Sequence, residues 1–97
     1  ARWEQIREAK LGPCRVCKGV TMRSQLHHLV PRAHLGADTE ANLVSLCSIC
    51  HDRVTRRDRS ACAALRQSLS DEEYSYACEK LGEDLFERFY PVTYKNG

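Results

Sequence analysis

Two cysteine pairs of identical spacing, Cys14-x-x-Cys17 and Cys47-x-x-Cys50, constrain this chain more than any other feature. A two-residue gap lets both sulfurs of a pair turn toward one ion, and two such knuckles complete the closed tetrahedral thiolate shell that structural Zn²⁺ prefers. A chain of 97 residues builds only a small core, so a metal contributing roughly 10 kcal/mol of folding energy has great weight in its stability. The length predicts one domain over residues 1–97. Tight pairs argue for zinc over disulfides. With no signal peptide and no apolar run long enough to span a bilayer, the expected setting is a reducing cytoplasm, away from membranes. Cys62 and Cys78 stand apart from the pairs and read as small buried hydrophobes.

The spacer between the knuckles is longer than a simple zinc ribbon needs, and it contains Leu26-His27-His28-Leu29-Val30-Pro31-Arg32. Adjacent imidazoles can divide labour. A neutral ring is a metal ligand, and a ring near its pKa accepts a proton from water, so the pair outlines a hydrolytic site. In a regular strand, however, neighbouring side chains point to opposite faces, so the backbone must twist or bulge there, or the pair must straddle its substrate. A third histidine, His51, directly follows Cys50. Successive helical residues point about 100° apart, so one helix start can present Cys50 to the zinc and His51 to a second site beside it.

In chain order, Trp3, Ile6 and Leu11 give a short helical pattern that Gly12-Pro13 stops. Gly19, after the first knuckle, suits its tight turn. Val20 to Leu29 reads as one or two short strands, with Met22, Leu26 and Leu29 toward the core. Pro31 to Ala41 reads as an irregular loop, in which His34 is a surface residue. Asn42 to Cys47 reads as a second strand ending in the second knuckle. A helix from about Ser48 into Arg59 would set Arg53, Arg56 and Arg57 on one face, where three like charges are tolerated most easily beside a polyanion.

Net charge divides unevenly: +1 over residues 1–13, +4 over residues 14–59 and −3 over residues 60–97. The basic middle coincides with the cysteines and histidines and suits a nucleic-acid partner. The acidic remainder reads as two or three helices. Cys62, Leu65 and Leu69 form one stripe; Ser70-Asp71-Glu72-Glu73 is a capping box; Tyr74, Ala77, Cys78 and Leu81 form a second stripe that Gly82 ends; Leu85, Phe86, Phe89 and Tyr90 form a third. Such stripes make core or a docking face for a protein partner.

The His pair, the loop, Asn42-Leu43 and Cys47-x-x-Cys50-His51 together resemble the HNH endonuclease family, with His28, Asn42 and His51 as the three motif letters. The resemblance covers about Cys14 to Arg57. It includes the four zinc cysteines that many members carry, and it has His27 where members often have Asp. It implies an α+β fold with a small ββα-metal (His-Me finger) core on a structural four-cysteine zinc site, the core at about residues 14–59 and flanking C-terminal helices at about residues 60–90. It also implies hydrolysis of DNA phosphodiester bonds. His28 is then the general base, Asn42 fixes the loop that orients it, and His27 and His51 hold a catalytic cation such as Mg²⁺, Mn²⁺ or Ni²⁺. Arg32, Arg53, Arg56 and Arg57 are the expected DNA contacts. Members are common in phage genomes, so phage DNA processing is an expected role. The alternative is a zinc-ribbon DNA-binding module without catalysis, which leaves His27, His28, Asn42 and His51 coincidental.

Overall fold

The structure, a computed structural model, describes residues 2–19 and 24–92. Helix α1 (Arg2–Lys10) buries Ile6 and ends before Gly12-Pro13, as its short apolar pattern predicts. The first knuckle follows and docks on the second strand: Arg15 donates its backbone N–H to the Ser45 carbonyl at 2.9 Å, and the Ser45 hydroxyl donates to the Gly12 carbonyl at 2.8 Å. Strand β1 (Gln25–His28) pairs antiparallel with β2 (Leu43–Leu46), with His27 opposite Val44 and His28 opposite Leu43. Of the expected Val20–Leu29 strand, residues 20–23, Met22 included, lie outside the described residues; Leu29 is fully buried and Leu26 half-buried.

Between the strands the chain makes two short 3-10 turns, Arg32–His34 and Glu40–Asn42. Leu29 donates back to the Asn42 carbonyl at 2.9 Å, which closes the loop onto the sheet. Gly36 is needed for close approach, because a Cβ there would sit 1.7 Å from the Val30 carbonyl oxygen.

Helix α2 (Ser48–Thr55) starts at the second knuckle, where the Cys47 sulfur caps the Cys50 N–H. Here the sequence expectation is corrected: the helix stops at Thr55 and does not run into Arg59, because Arg57 adopts a left-handed φ of 62° and Asp58 caps a new helix. That helix, α3 (Arg59–Ser68), is followed by α4 (Asp71–Leu81) with a complete Ser70–Glu73 capping box, and by α5 (Glu83–Phe89). Most of their apolar residues face inward, but Tyr74 of the expected second stripe is exposed and Tyr76 packs on the core in its place. Leu65, Ala77, Phe86 and Tyr90 share one core with Leu29, Val44 and Val54, so the acidic helices are built onto the sheet and α2.

Candidate active site

The four knuckle sulfurs, those of Cys14, Cys17, Cys47 and Cys50, lie within 4.8 Å of one another, and Cys17 and Cys47 stand 3.9 Å apart. A tetrahedron of thiolates about 2.3 Å from zinc has edges of about 3.8 Å, so the donor set fits that ion. The left-handed residue in the first knuckle is Lys18 (φ 66°), and Gly19 instead packs beside the Cys17 sulfur. Burial opposes ionisation of Cys14, but the backbone around the knuckles at Cys17, Cys47 and Val16 outweighs it and draws the thiol down to about 6. Cys50 is pushed up, first by burial and then by the neighbouring thiols. Ionisation of Cys50 beside its neighbouring thiols is therefore opposed unless a cation shares the cluster. All six cysteines are free thiols, and Cys62 is buried with its thiol raised by desolvation.

The His pair meets two different surroundings. The strand register runs through His27 and His28 without a break, so the two rings leave β1 in opposite directions. His27 is buried and meets His51 edge to face, ring centroids 5.3 Å apart, so the end of β1 and the start of α2 bring these two together. Burial, with added charge from His51, Arg57 and His28, pushes His27 down to about 3. The ring is therefore neutral near pH 7, and its Nε2 is buried with no hydrogen-bond partner. Two imidazoles with an open ring nitrogen between two elements can hold a divalent cation.

His28 faces the loop, where its Nε2 lies 2.7 Å from Asp38 Oδ1. Sequence reasoning missed Asp38, since a carboxylate ten residues away in an irregular loop has no spacing signature. Its pKa is lowered by that contact, with a smaller contribution from Arg32. Asn42 is fully buried and fastens the loop at three points: its Oδ1 accepts from Val30 N–H at 2.7 Å, and its Nδ2 donates to the Val30 and Ala37 carbonyls at 3.1 and 2.9 Å.

Arg53, Arg56 and Arg57 do not share one helical face, because the helix ends at Thr55 and Arg57 turns away with a left-handed φ. Arg32 is 76% exposed and only loosely paired with Asp38 at 3.4 Å. Arg53 pairs with Asp58, and Arg56 with Asp52 one turn back. Arg57, past the helix end, lays its guanidinium 3.9 Å over the Phe89 ring and turns a buried Nη1 without a hydrogen-bond partner into the interior. His34 is exposed and touches the edge of Phe89.

The arrangement of paired knuckles, a histidine at the end of a two-stranded sheet, a buried asparagine and a histidine at a helix start spans the same residues as a match to the model of the HNH endonuclease family, at residues 14–57. This segment is similar to the HNH endonuclease family. No curated protein and no solved structure matches the chain. The HNH segment ends at Arg57, so Phe89, Tyr90 and all of α3 to α5 lie beyond it. Among the described residues no helix is long and apolar enough to cross a membrane.

Proposed function

We propose that the protein is a metal-dependent DNA endonuclease that hydrolyses phosphodiester bonds and carries one structural zinc in its four-cysteine centre. One observation carries this reading above the others. His27 and His51 bring their rings together at 5.3 Å, and His27 keeps a buried ring nitrogen without a protein partner.

In this reading His27 and His51 hold a catalytic divalent cation, which when bound supplies charge stabilisation at the scissile phosphate and its leaving oxygen. His28 is the general base: it takes a proton from the attacking water as the water oxygen bonds to phosphorus and the bond to the leaving sugar oxygen breaks. Asn42 holds the loop that faces His28. Because the two adjacent rings diverge, a phosphate served by both must lie across the end of β1 and not on one face of it. Two imidazoles without a carboxylate suit borderline transition metals, so Mn²⁺ or Ni²⁺ should serve better than Mg²⁺.

DNA is the partner that the basic middle segment suits, with Arg32, Arg53 and Arg56 as phosphate contacts and Arg57 as a support for the end of α2. The shared core supports one domain among the described residues, and four cysteines gathered at a zinc site suit a reducing compartment. A zinc module that only binds DNA explains the knuckles and arginines but not the orphaned His27 nitrogen. Incubation of supercoiled plasmid with the protein and Mg²⁺, Mn²⁺ or Ni²⁺ separates the two. The nuclease reading expects nicked or linear product, and His28→Ala slower by about 10²- to 10⁴-fold. DNA binding without cleavage under every cation would leave the zinc module standing.

A further inference from the structure

We propose that Asp38 and Tyr76 are positioning residues for His28: Asp38 selects the tautomer of its imidazole, and Tyr76 fixes the backbone that presents Asp38. The inference rests on the assignment of His28 as the base. Tyr76 belongs to α4 and lies outside the HNH segment, so it extends the site to a part of the chain that the family motif does not reach.

The first link is the 2.7 Å contact between His28 Nε2 and Asp38 Oδ1. An ionised carboxylate can only accept hydrogen bonds, so Nε2 must carry the hydrogen, which leaves the Nδ1 lone pair as the basic site. An imidazole without such a partner divides between two tautomers, only one of which presents a base on the required side. The carboxylate itself is not packed in place: Asp38 is 45% exposed, and Arg32 reaches it only at 3.4 Å. Its position comes from the backbone.

The second link is that backbone. Ala37, immediately before Asp38, is held at both of its polar groups. Its carbonyl accepts from Asn42 Nδ2 at 2.9 Å, and its N–H donates to the Tyr76 hydroxyl at 3.0 Å. The Tyr76 ring packs against the common core, so its hydroxyl is a fixed post. Gly36, pressed against the Val30 carbonyl, closes the other side of the same turn. Asn42 and Tyr76 therefore hold Ala37 at its carbonyl and its N–H, and together they fix where Asp38 begins.

The test compares Asp38→Ala, Asp38→Asn, Tyr76→Phe and His28→Ala with the parent, with plasmid cleavage measured at saturating Mn²⁺. Asp38→Ala should lower kcat roughly 10- to 100-fold, the usual cost of losing a group that orients a site imidazole. Tyr76→Phe removes one hydrogen bond and should lower kcat about two- to tenfold. In both, KM for DNA and calorimetric Mn²⁺ affinity should stay within about twofold of the parent. Asp38→Asn keeps an acceptor oxygen and should recover part of the loss. Long-range ¹H–¹⁵N spectra of the zinc-loaded protein without added Mn²⁺ should report His28 as the Nε2–H tautomer in the parent and a mixture in Asp38→Ala. An Nδ1–H tautomer in the parent overturns the proposal. So does parental kcat in both Asp38→Ala and Tyr76→Phe while His28→Ala is slow. Parental cleavage by His28→Ala overturns the base assignment instead, a separate failure, because the spectra read the Asp38 contact without any turnover. If Asp38→Ala does not fold, Tyr76→Phe and the parent spectrum still decide.

Discussion

Arg15, inside the first cysteine knuckle, grips Glu73 of α4 through both terminal guanidinium nitrogens, at 2.9 and 2.8 Å. The same carboxylate accepts from Lys10 and closes the capping box by accepting from Ser70 N–H at 2.8 Å. Glu73 is 2% exposed, so four donors converge on a charge that has left water, and three separate parts of the chain meet there. Losing Arg15 would leave that charge buried and under-compensated, which typically costs about 3 kcal/mol or more. Burial alone would raise the Glu73 pKa, but Arg15, Lys10 and Ser70 reverse this and hold it at about 2, against 4.5 for a free side chain. The folded-state value lies below the unfolded one, so the stabilisation is complete above about pH 4.5 and is lost as pH falls toward 2. Thermal melts at pH 7 and pH 3 should show Glu73→Gln less stable than the parent at pH 7, with the gap narrowing at pH 3. An equal gap at both would refute the ionised clamp.

The cysteine centre should hold about one Zn²⁺ per chain. Cys14→Ser and Cys47→Ser should fail to fold, because binding energy at such a site is folding energy. Cys78→Ser, at a half-buried position outside the cluster, should keep both fold and zinc. Elemental analysis and circular dichroism check this. Metal-free protein with a normal melting curve would rule it out.

The proposed roles of the three histidines demand different failures. His28→Ala should bind Mn²⁺ as the parent does and cleave slowly at any metal concentration. His27→Ala and His51→Ala each remove one of only two protein ligands, so they should bind Mn²⁺ weakly and regain part of their activity as the cation is raised. Calorimetric titration beside cleavage time courses reads both. Weak binding in His28→Ala with normal binding in His27→Ala would mean that the roles are exchanged.

Salt dependence separates the arginines. Each phosphate contact removed should lower the slope of log affinity against log salt by about 1. Arg32→Ala and Arg56→Ala, at exposed positions, should do so without lowering the melting temperature. Arg57→Ala should chiefly lower stability, because it vacates the space against Phe89. A slope unaffected by Arg32→Ala and Arg56→Ala would return these side chains to the role of solvated surface.

Local signals in the sequence are legible, and signals that depend on distant partners are not. The knuckles can be read because two-residue spacing forces two sulfurs together, and the Ser70–Glu73 capping box because its partners are three residues apart. The helix break at Arg57 is hidden by good helical spacing of Arg53, Arg56 and Arg57, although Asp58 is a strong N-cap residue and carries a signal against a continuous helix. Asp38 beside His28 could not be found, since an irregular loop has no period from which to infer direction. Glu73 is legible as a cap and illegible as the anchor of Arg15, a residue 58 positions earlier. The divergence of His27 and His28 follows from strand alternation, and the unbroken register settles it against a bulge.

The Tyr90 hydroxyl donates to the Leu29 carbonyl at 2.6 Å, across 61 positions of sequence. Leu29 directly follows the histidine pair, while Tyr90 lies 33 residues past the end of the HNH match. A recombination event that carried only the recognisable motif into another gene would bring along a carbonyl stripped of its donor and a core missing Phe86 and Tyr90. The unit that can be inherited or transplanted intact is therefore longer than the unit by which the family is recognised, and a graft should be cut after Tyr90.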